Sequence, residues 1–182
     1  TDEEQPLSPI AYARAYEYAE RPFTAEAKET ILDVRTARPA WILGSDSWFE
    51  YFFYRPALAS GFVPYYGDGR QQMSIISVED CAGQLLHVST HGSKGESYNL
   101  FGFAPISQLE FAEKIGDVLG LDVRQVDEKE LVKKHGKTVA EALTSNTPVT
   151  TMHSEWKASY KAVDRNLDLL IAKTVKVLTE RS

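Results

Sequence analysis

Two tyrosines in one short segment are the first residues whose type and spacing could do chemistry. Tyr12 precedes Tyr16 by four residues in AYARAYEYAE, residues 11–20. A helix would place both phenols on one face, one turn apart, and a positioned phenol can transfer a proton. The pair indicates an active site, the relic of one, or two amphipathic residues packed on a half-buried helix.

Other reactive residues fit structural roles better. His87 and His91 have the i,i+4 spacing with which a helix can hold a metal, but no carboxylate or third ligand lies beside them in the sequence. We interpret them as exposed polar residues near a helix end and predict no metal site. Glu79 and Asp80 are adjacent, so they do not share a helical face and suit a helix start. Cys81 falls on an apolar stripe and is predicted to lie in the core.

The composition is that of an ordinary globular protein. The 182 residues are 43% hydrophobic and 25% charged, which predicts one domain, or slightly more, with a real core. The net charge of -6 disfavours nucleic-acid binding, which needs a basic face. No apolar run approaches the roughly 20 residues of a membrane span. A single cysteine fits a reducing compartment, so we expect a cytoplasmic protein.

Strands that alternate with helices predict an α/β or α+β fold. Pro22 is predicted to end the first helix, with Thr24 capping a second one. Pro39 predicts irregular hydrogen bonding in the first strand. The predicted segments are a helix over 10–20, a strand over 33–44, a helix over 45–60, a strand and loop over 62–72, a strand leading into a helix over 73–88, a strand over 96–102, a helix over 107–119, a strand over 121–126, and helices from there to the end.

Apolar periodicity predicts the buried faces of three helices. Ser107 and Glu110 form a capping box at the start of the second of these, and Gly120 ends it. The predicted stripes are Val78, Cys81, Ala82, Leu85 and Leu86, then Leu109, Ala112, Ile115 and Leu119, then Leu167, Leu170, Ile171, Thr174 and Leu178. A cluster of large rings is too apolar for one solvent-facing helix, so some rings are predicted to line a pocket or an interface. These rings are Trp48, Phe49, Tyr51, Phe52, Phe53 and Tyr54.

A series of short segments follows in a distinctive order over roughly residues 1–126. They are the acidic lead-in TDEEQPLSP, the Tyr12–Tyr16 pair with Ala19 and Glu20, then VRTARPAWILG, YYGDGRQQMSIISVEDCA, YNLFG and PISQLEFAEKIGDVLG. Together they resemble the second half of the extended short-chain dehydrogenase/reductase family, the NAD(P)-dependent sugar epimerases and dehydratases.

The resemblance implies a partial Rossmann-like sheet, made of its last strands, plus the small α/β substrate-binding lobe of the family. Residues 1–126 would then be the C-terminal half of an epimerase/dehydratase-like domain. Residues 127–182 show little of this resemblance and are predicted to be a helical extension packed on that domain.

The same resemblance assigns candidate roles to the tyrosine pair. Tyr12 matches the family's general acid/base. In the family a lysine one turn later holds the nicotinamide ribose and lowers the pKa of that tyrosine. Tyr16 replaces this lysine and supplies no permanent charge.

Four further residues fall at binding positions of the family. Pro39 and Trp41 match cofactor-binding positions, and Trp41 also replaces an asparagine that touches the substrate phosphate. Met73 replaces an arginine that binds the sugar diphosphate, although Arg70 lies close by in the sequence. The resemblance therefore implies Trp41, Arg70 and Met73 as substrate-binding residues.

The family's cofactor, NAD or NADP, lies on a Gly-rich turn that these 182 residues do not contain. We expect that this chain alone does not bind it, and that the chain is a fragment, part of a split protein, or a remnant.

One function that stays open is an epimerase, dehydratase or reductase for a sugar-like or small carbonyl substrate. The other is a non-catalytic binding or scaffold protein. An open sheet edge would need a cover, which predicts a homo-oligomer or a missing N-terminal half as partner.

Overall fold

A computed structural model of the chain describes residues 2–5, 10–27 and 33–181, and its mixed α/β class is as predicted. The helices are α1 (Ala11–Ala27), α2 (Arg55–Ser60), α3 (Val78–His91), α4 (Gln108–Leu119), α5 (Glu128–His135), α6 (Lys137–Thr144), α7 (Ser154–Ser159) and α8 (Leu167–Arg181), with a π-helical segment, Glu50–Tyr54, before α2. The strands are β1 (Thr36–Pro39), β2 (Trp41–Leu43), β3 (Val63–Tyr66), β4 (Gln72–Met73), β5 (Ile75–Ser77), β6 (Ser97–Leu100), β7 (Ile106–Ser107) and β8 (Val123–Val126).

Helix α1 is longer than predicted. It continues through Pro22 to Ala27, so the prediction that Pro22 ends it and that Thr24 caps a second helix is wrong. A proline inside a helix removes one main-chain hydrogen bond. Two residues earlier, Glu20 forms a two-pronged ion pair with Arg38 of β1, in which Nε lies 3.0 Å from Oε2. This pair holds the helix against the strand close to the proline and offsets the lost bond.

The strand predicted over 33–44 is in fact two strands with different partners. β1 pairs in parallel with β6, and β2 pairs in parallel with β5. The partner changes at one residue: the amide of Ala40 donates to the Leu100 carbonyl at 2.8 Å, and the amide of Trp41 donates to the Ser74 carbonyl at 3.1 Å. Pro39, which has no amide hydrogen, ends β1 at this irregularity.

The remaining strands form two more pairs, β3 with β8 in parallel and β4 with β7 antiparallel. The outer side of β6 is occupied, since the amide of Asn99 donates to Glu3 Oε1 at 2.8 Å and its Nδ2 donates to the Thr150 carbonyl at 2.9 Å. Within the part of the chain that the structure describes, β1 has no strand neighbour on the side away from β6. β1 therefore presents an open edge.

The larger of two hydrophobic core clusters joins the two parts of the chain predicted to divide at residue 126. Phe49, Phe53 and Phe111 are fully buried, and the rings of Phe53 and Phe111 meet edge to face with centroids 5.3 Å apart. Leu143 of α6 and Ile171 of α8 belong to the same core. The C-terminal helices are therefore linked to the rest through packing, and the division at residue 126 stays a prediction.

Helix α3 buries a different face from the predicted one. Of the predicted stripe only Cys81 is buried, and Leu86 is 67% exposed. The buried residues of α3 are Asp80, Cys81, Gln84 and Val88. The cause is a segment that returns from the C-terminal part of the chain: Asp80 accepts hydrogen bonds from the Tyr160 hydroxyl at 3.0 Å and the Val163 amide at 2.8 Å. Two polar side chains of the helix, Asp80 and Gln84, therefore face inward beside Cys81 and Val88.

The other predicted helix features are confirmed in outline. Ser107 Oγ caps α4 by accepting from the Glu110 amide at 3.2 Å, and Gly120, with φ 66°, ends the helix. Helix α8 buries four of its five predicted stripe residues. Residues 145–153 and 160–166, predicted to be helical, are not; the first of these segments runs along β4, where the Thr147 amide donates to the Gln72 carbonyl at 2.7 Å. None of the described helices is long and apolar enough to cross a membrane.

Candidate functional site

The two candidate tyrosines form a hydrogen-bonded pair near the start of α1. Their hydroxyl oxygens are 3.1 Å apart and their ring centroids 5.2 Å apart, as expected for one helical turn. Tyr12 is 45% exposed and Tyr16 58%, so another molecule can reach both phenols. Partial burial, and after it the hydroxyl of Tyr16, raises the pKa of Tyr12 to about 12. At neutral pH Tyr12 is therefore a proton donor and a poor base.

Trp41 and Met73, two of the predicted binding residues, meet at a small cavity. Its volume is about 10 Å³, room for roughly one water molecule. The lining residues are Trp41, Trp48, Phe53, Gln71, Met73, Gln108, Ala142, Leu143 and Ser145. Two of the six clustered rings, Trp48 and Phe53, thus line a cavity, as predicted for some of them, while Tyr51 is 51% exposed.

Three of the nine residues that line the cavity are aromatic, and none of the nine carries a charged side chain. The rings of Trp41 and Trp48 meet edge to face with centroids 5.0 Å apart, and Trp41 Nε1 donates to Thr147 Oγ1 at 3.0 Å. Trp48 Nε1 is buried and has no hydrogen-bond partner among the described residues. Phosphate groups are bound by cations and clustered donors, so this wall does not fit a sugar diphosphate.

Arg70 and Pro39 lie outside this cavity. The side chain of Arg70 is 88% exposed and lies 3.6 Å from the Asp68 carboxylate. Its neighbour Gln71 lines the cavity instead. Pro39 is exposed at the end of β1. The structure therefore groups Trp41 with Met73 and places Arg70 and Pro39 apart from them.

Helix α6 touches both the tyrosine helix and the cavity. It packs against α1, and its Ala142 and Leu143 line the cavity. The Leu143 carbonyl accepts hydrogen bonds from Gln71 Nε2 at 3.1 Å and Gln108 Nε2 at 2.7 Å. Sequence patterns did not indicate these glutamines or α6, because the contacts join positions 35 and 72 residues apart. Trp48 and Phe53, in contrast, were predicted as members of the ring cluster.

The described residues do not fit a dinucleotide. Gly67 and Gly69, both with positive φ, lie in the loop between β3 and β4 and not between a strand and a helix. Their amides therefore do not form a phosphate cradle at a helix N-terminus. Tyr16, one turn from Tyr12, carries a hydroxyl and no positive charge. In the described ranges, histidine, cysteine and carboxylate side chains form no group of three or more that could hold a metal.

The sequence matches no model of a known protein family and no curated protein. Solved structures, in contrast, superpose on nearly the whole chain. A dTDP-glucose 4,6-dehydratase from Streptomyces venezuelae with NAD and TYD bound has a TM-score of 0.78 at 24% identity, over 99% of this chain and 54% of that one. A human epimerase family protein with NADPH has a TM-score of 0.79 at 17% identity, over 97% of this chain and 59% of that one.

The third comparison is with a UDP-N-acetylglucosamine 4-epimerase from Methanobrevibacter ruminantium M1 in complex with UDP-N-acetylmuramic acid. Its TM-score is 0.74 at 19% identity, over 100% of this chain and 58% of that one. This chain has the fold of the extended short-chain dehydrogenases/reductases. It spans little more than half the length of each of these three structures, and the likeness concerns the fold alone.

Proposed function

We propose that this chain forms the substrate-side half of an NAD(P)-dependent epimerase, dehydratase or reductase that acts on a sugar-like or small carbonyl substrate. The observation that carries the proposal is the position of Tyr12. It lies on the helix that precedes the first parallel strand, in a fold shared with NAD-bound dehydratases. Its exposed hydroxyl can donate a proton to a substrate oxygen.

We expect the dinucleotide to be held outside these residues, because no glycine with positive φ in the described part of the chain lies between the end of a strand and the start of a helix that follows it. The open edge of β1 supports this arrangement. An unpaired parallel strand readily accepts a further strand. We expect a nucleotide-binding half, or a second copy of the chain, to pair there.

A non-catalytic binding or scaffold role is the alternative, and two observations favour it. Tyr16 gives Tyr12 no neighbouring cation, so the pKa of Tyr12 stays high. The cavity beside Trp41 and Met73 has room for only about one water molecule and lacks charge. An enzyme for nucleotide sugars would use a cation beside its catalytic tyrosine and a charged pocket for the diphosphate.

The deciding experiment measures turnover in the longest natural form of the protein, with NAD or NADP and a panel of nucleotide sugars and small carbonyl compounds. Loss of a positioned proton donor typically costs about 10²–10⁴-fold, so Tyr12→Phe should lower turnover by this order. Tyr18→Phe, on the exposed side of the same helix, is the matched control and should leave turnover unchanged. Turnover that is indifferent to Tyr12→Phe would remove the acid/base assignment, and no turnover with any substrate would favour the scaffold role.

A further inference from the structure

A pair of histidines on α3 lies outside the site described above. His87 and His91 are one helical turn apart, and their ring centroids are separated by 4.2 Å with the ring planes 30° apart. His91 is exposed near the end of the helix and His87 is half-buried. From the sequence we interpreted the two histidines as exposed polar residues and predicted no metal site; the structure adds the neighbours that orient the pair.

Each ring has one nitrogen that is already hydrogen-bonded. His87 Nε2 lies 2.8 Å from Ser159 Oγ, and His91 Nδ1 lies 2.7 Å from Thr90 Oγ1. The second nitrogen of each ring, Nδ1 of His87 and Nε2 of His91, has no hydrogen-bond partner among the residues that the structure describes. A hydrogen bond at one nitrogen fixes the ring and leaves the other for coordination, the arrangement found in metal-binding histidines.

His87 is further held by rings from the C-terminal part of the chain. Its centroid lies 5.5 Å from that of Trp156 and 5.6 Å from that of Tyr160. Trp156 is buried, and the Tyr160 hydroxyl is fixed by its hydrogen bond to Asp80. His87 is therefore pre-oriented by packing, while His91 is exposed and is oriented by its hydrogen bond to Thr90.

We propose that His87 and His91 bind one divalent transition-metal ion, of the class Cu²⁺, Ni²⁺ or Zn²⁺, with one nitrogen from each ring. Imidazole is a preferred ligand of these ions, and bonds of roughly 2.0–2.1 Å to zinc can be reached from two histidines four residues apart on one helix face. Water completes the coordination. The site does not depend on the proposed enzymatic role of Tyr12.

The test is titration calorimetry of the metal-free 182-residue protein with each ion in turn. We expect binding of one ion per chain. His91→Gln should weaken it by on the order of tenfold or more, and the double variant His87→Gln/His91→Gln should abolish it. His135→Gln is the matched control: His135 is half-buried on α5, beside Phe52, and its replacement should leave binding unchanged. Binding by the double variant equal to that of wild type would overturn the proposal, as would no binding by wild type.

A second readout keeps the test valid if His87→Gln unfolds the chain. A copper or nickel ion at this site lies close to Trp156 and should quench its fluorescence. At an ion concentration that half-saturates the wild type, the quenching should fall strongly in His91→Gln. His91 is exposed, and a melting curve checks that this variant is folded. The quenched signal should also be missing from Trp156→Phe. Quenching that persists in His91→Gln would place the ion elsewhere and overturn the assignment.

Discussion

One carboxylate oxygen of Asp80 accepts a hydrogen bond from the Tyr160 hydroxyl at 3.0 Å, across 80 residues of sequence. The same oxygen accepts from the Val163 amide at 2.8 Å, and the other accepts from the Asp164 amide at 3.0 Å and from Ser77 Oγ at 3.2 Å. Asp80 is fully buried. This carboxylate therefore attaches the segment that leads into α8 to the start of α3.

Replacing Asp80 with asparagine should destabilise the fold strongly. An amide nitrogen cannot accept from the main-chain amides of Val163 and Asp164, so at least one buried donor loses its partner. The expected cost is about 3 kcal/mol in the free energy of unfolding, measured by urea denaturation. Glu79→Gln is the control: Glu79 pairs with Lys173 at 2.8 Å on the surface, and its loss should cost less than about 1 kcal/mol. Equal effects of the two changes would contradict this role of Asp80.

A half-buried lysine, Lys157, should make the free energy of unfolding rise with pH. Lys157 Nζ donates to Gln84 Oε1 at 3.2 Å and to the Phe101 carbonyl. Burial lowers the pKa of Lys157 from 10.5 to about 8, against the opposing effect of Asp80. In the unfolded chain the pKa returns to roughly 10.4. Between these values the unfolded state binds more protons than the folded state, so the free energy of unfolding rises with pH through this window.

The measurement is the free energy of unfolding of wild type minus that of Lys157→Met, at pH 7.5 and at pH 10. The difference should shift in favour of wild type at the higher pH. By then the folded lysine has lost its proton, so the fold no longer holds a charged ammonium away from water. Lys133→Met, at an exposed position of α5, should show no such shift. If the free energy of unfolding of wild type minus that of Lys157→Met is the same at both pH values, Lys157 keeps its proton in the folded state.

Restoring a cation beside Tyr12 should lower the pKa of its phenol. In Tyr16→Lys an ammonium would lie one turn from Tyr12, and an opposite charge favours the phenolate. The pKa of Tyr12, about 12 in the present chain, should fall, as measured by the tyrosinate absorbance that Tyr12→Phe removes. Tyr16→Met separates the two causes, since it deletes the hydroxyl and adds no charge. A pKa equally low in Tyr16→Met would assign the change to the lost hydrogen bond.

The 182-residue chain should not bind NAD or NADP measurably. Its described residues form no phosphate cradle between a strand and a helix, and Tyr16 supplies no cation for the ribose. Titration calorimetry is the measurement. A micromolar dissociation constant for either dinucleotide would contradict the expectation and point to a site built in some other way.

The sequence predicts the local features of this fold better than the long-range ones. Ser107 and Gly120 mark the ends of α4 because capping and a left-handed turn depend on single residue types. The buried side of α3 was missed because Asp80 and Gln84 face inward only once residues 160–164 and α7 have packed there. Of the residues that line the cavity, Trp41 and Met73 were named from the family resemblance. Gln108 and Leu143 were not, because they meet only in three dimensions.

The change of strand partner at Ala40 has a mechanical consequence. The backbone torsion angles at this residue set the direction of β2 relative to β1 along the main chain. A change in the torsion angles of Ala40 would move Trp41 relative to the edge of β1. One wall of the cavity would move with it, since Trp41 lines the cavity. A strand that pairs along that edge would fix the conformation of β1 up to Pro39. We therefore expect a strand bound at the edge of β1 to influence the position of Trp41 through the main chain at Ala40.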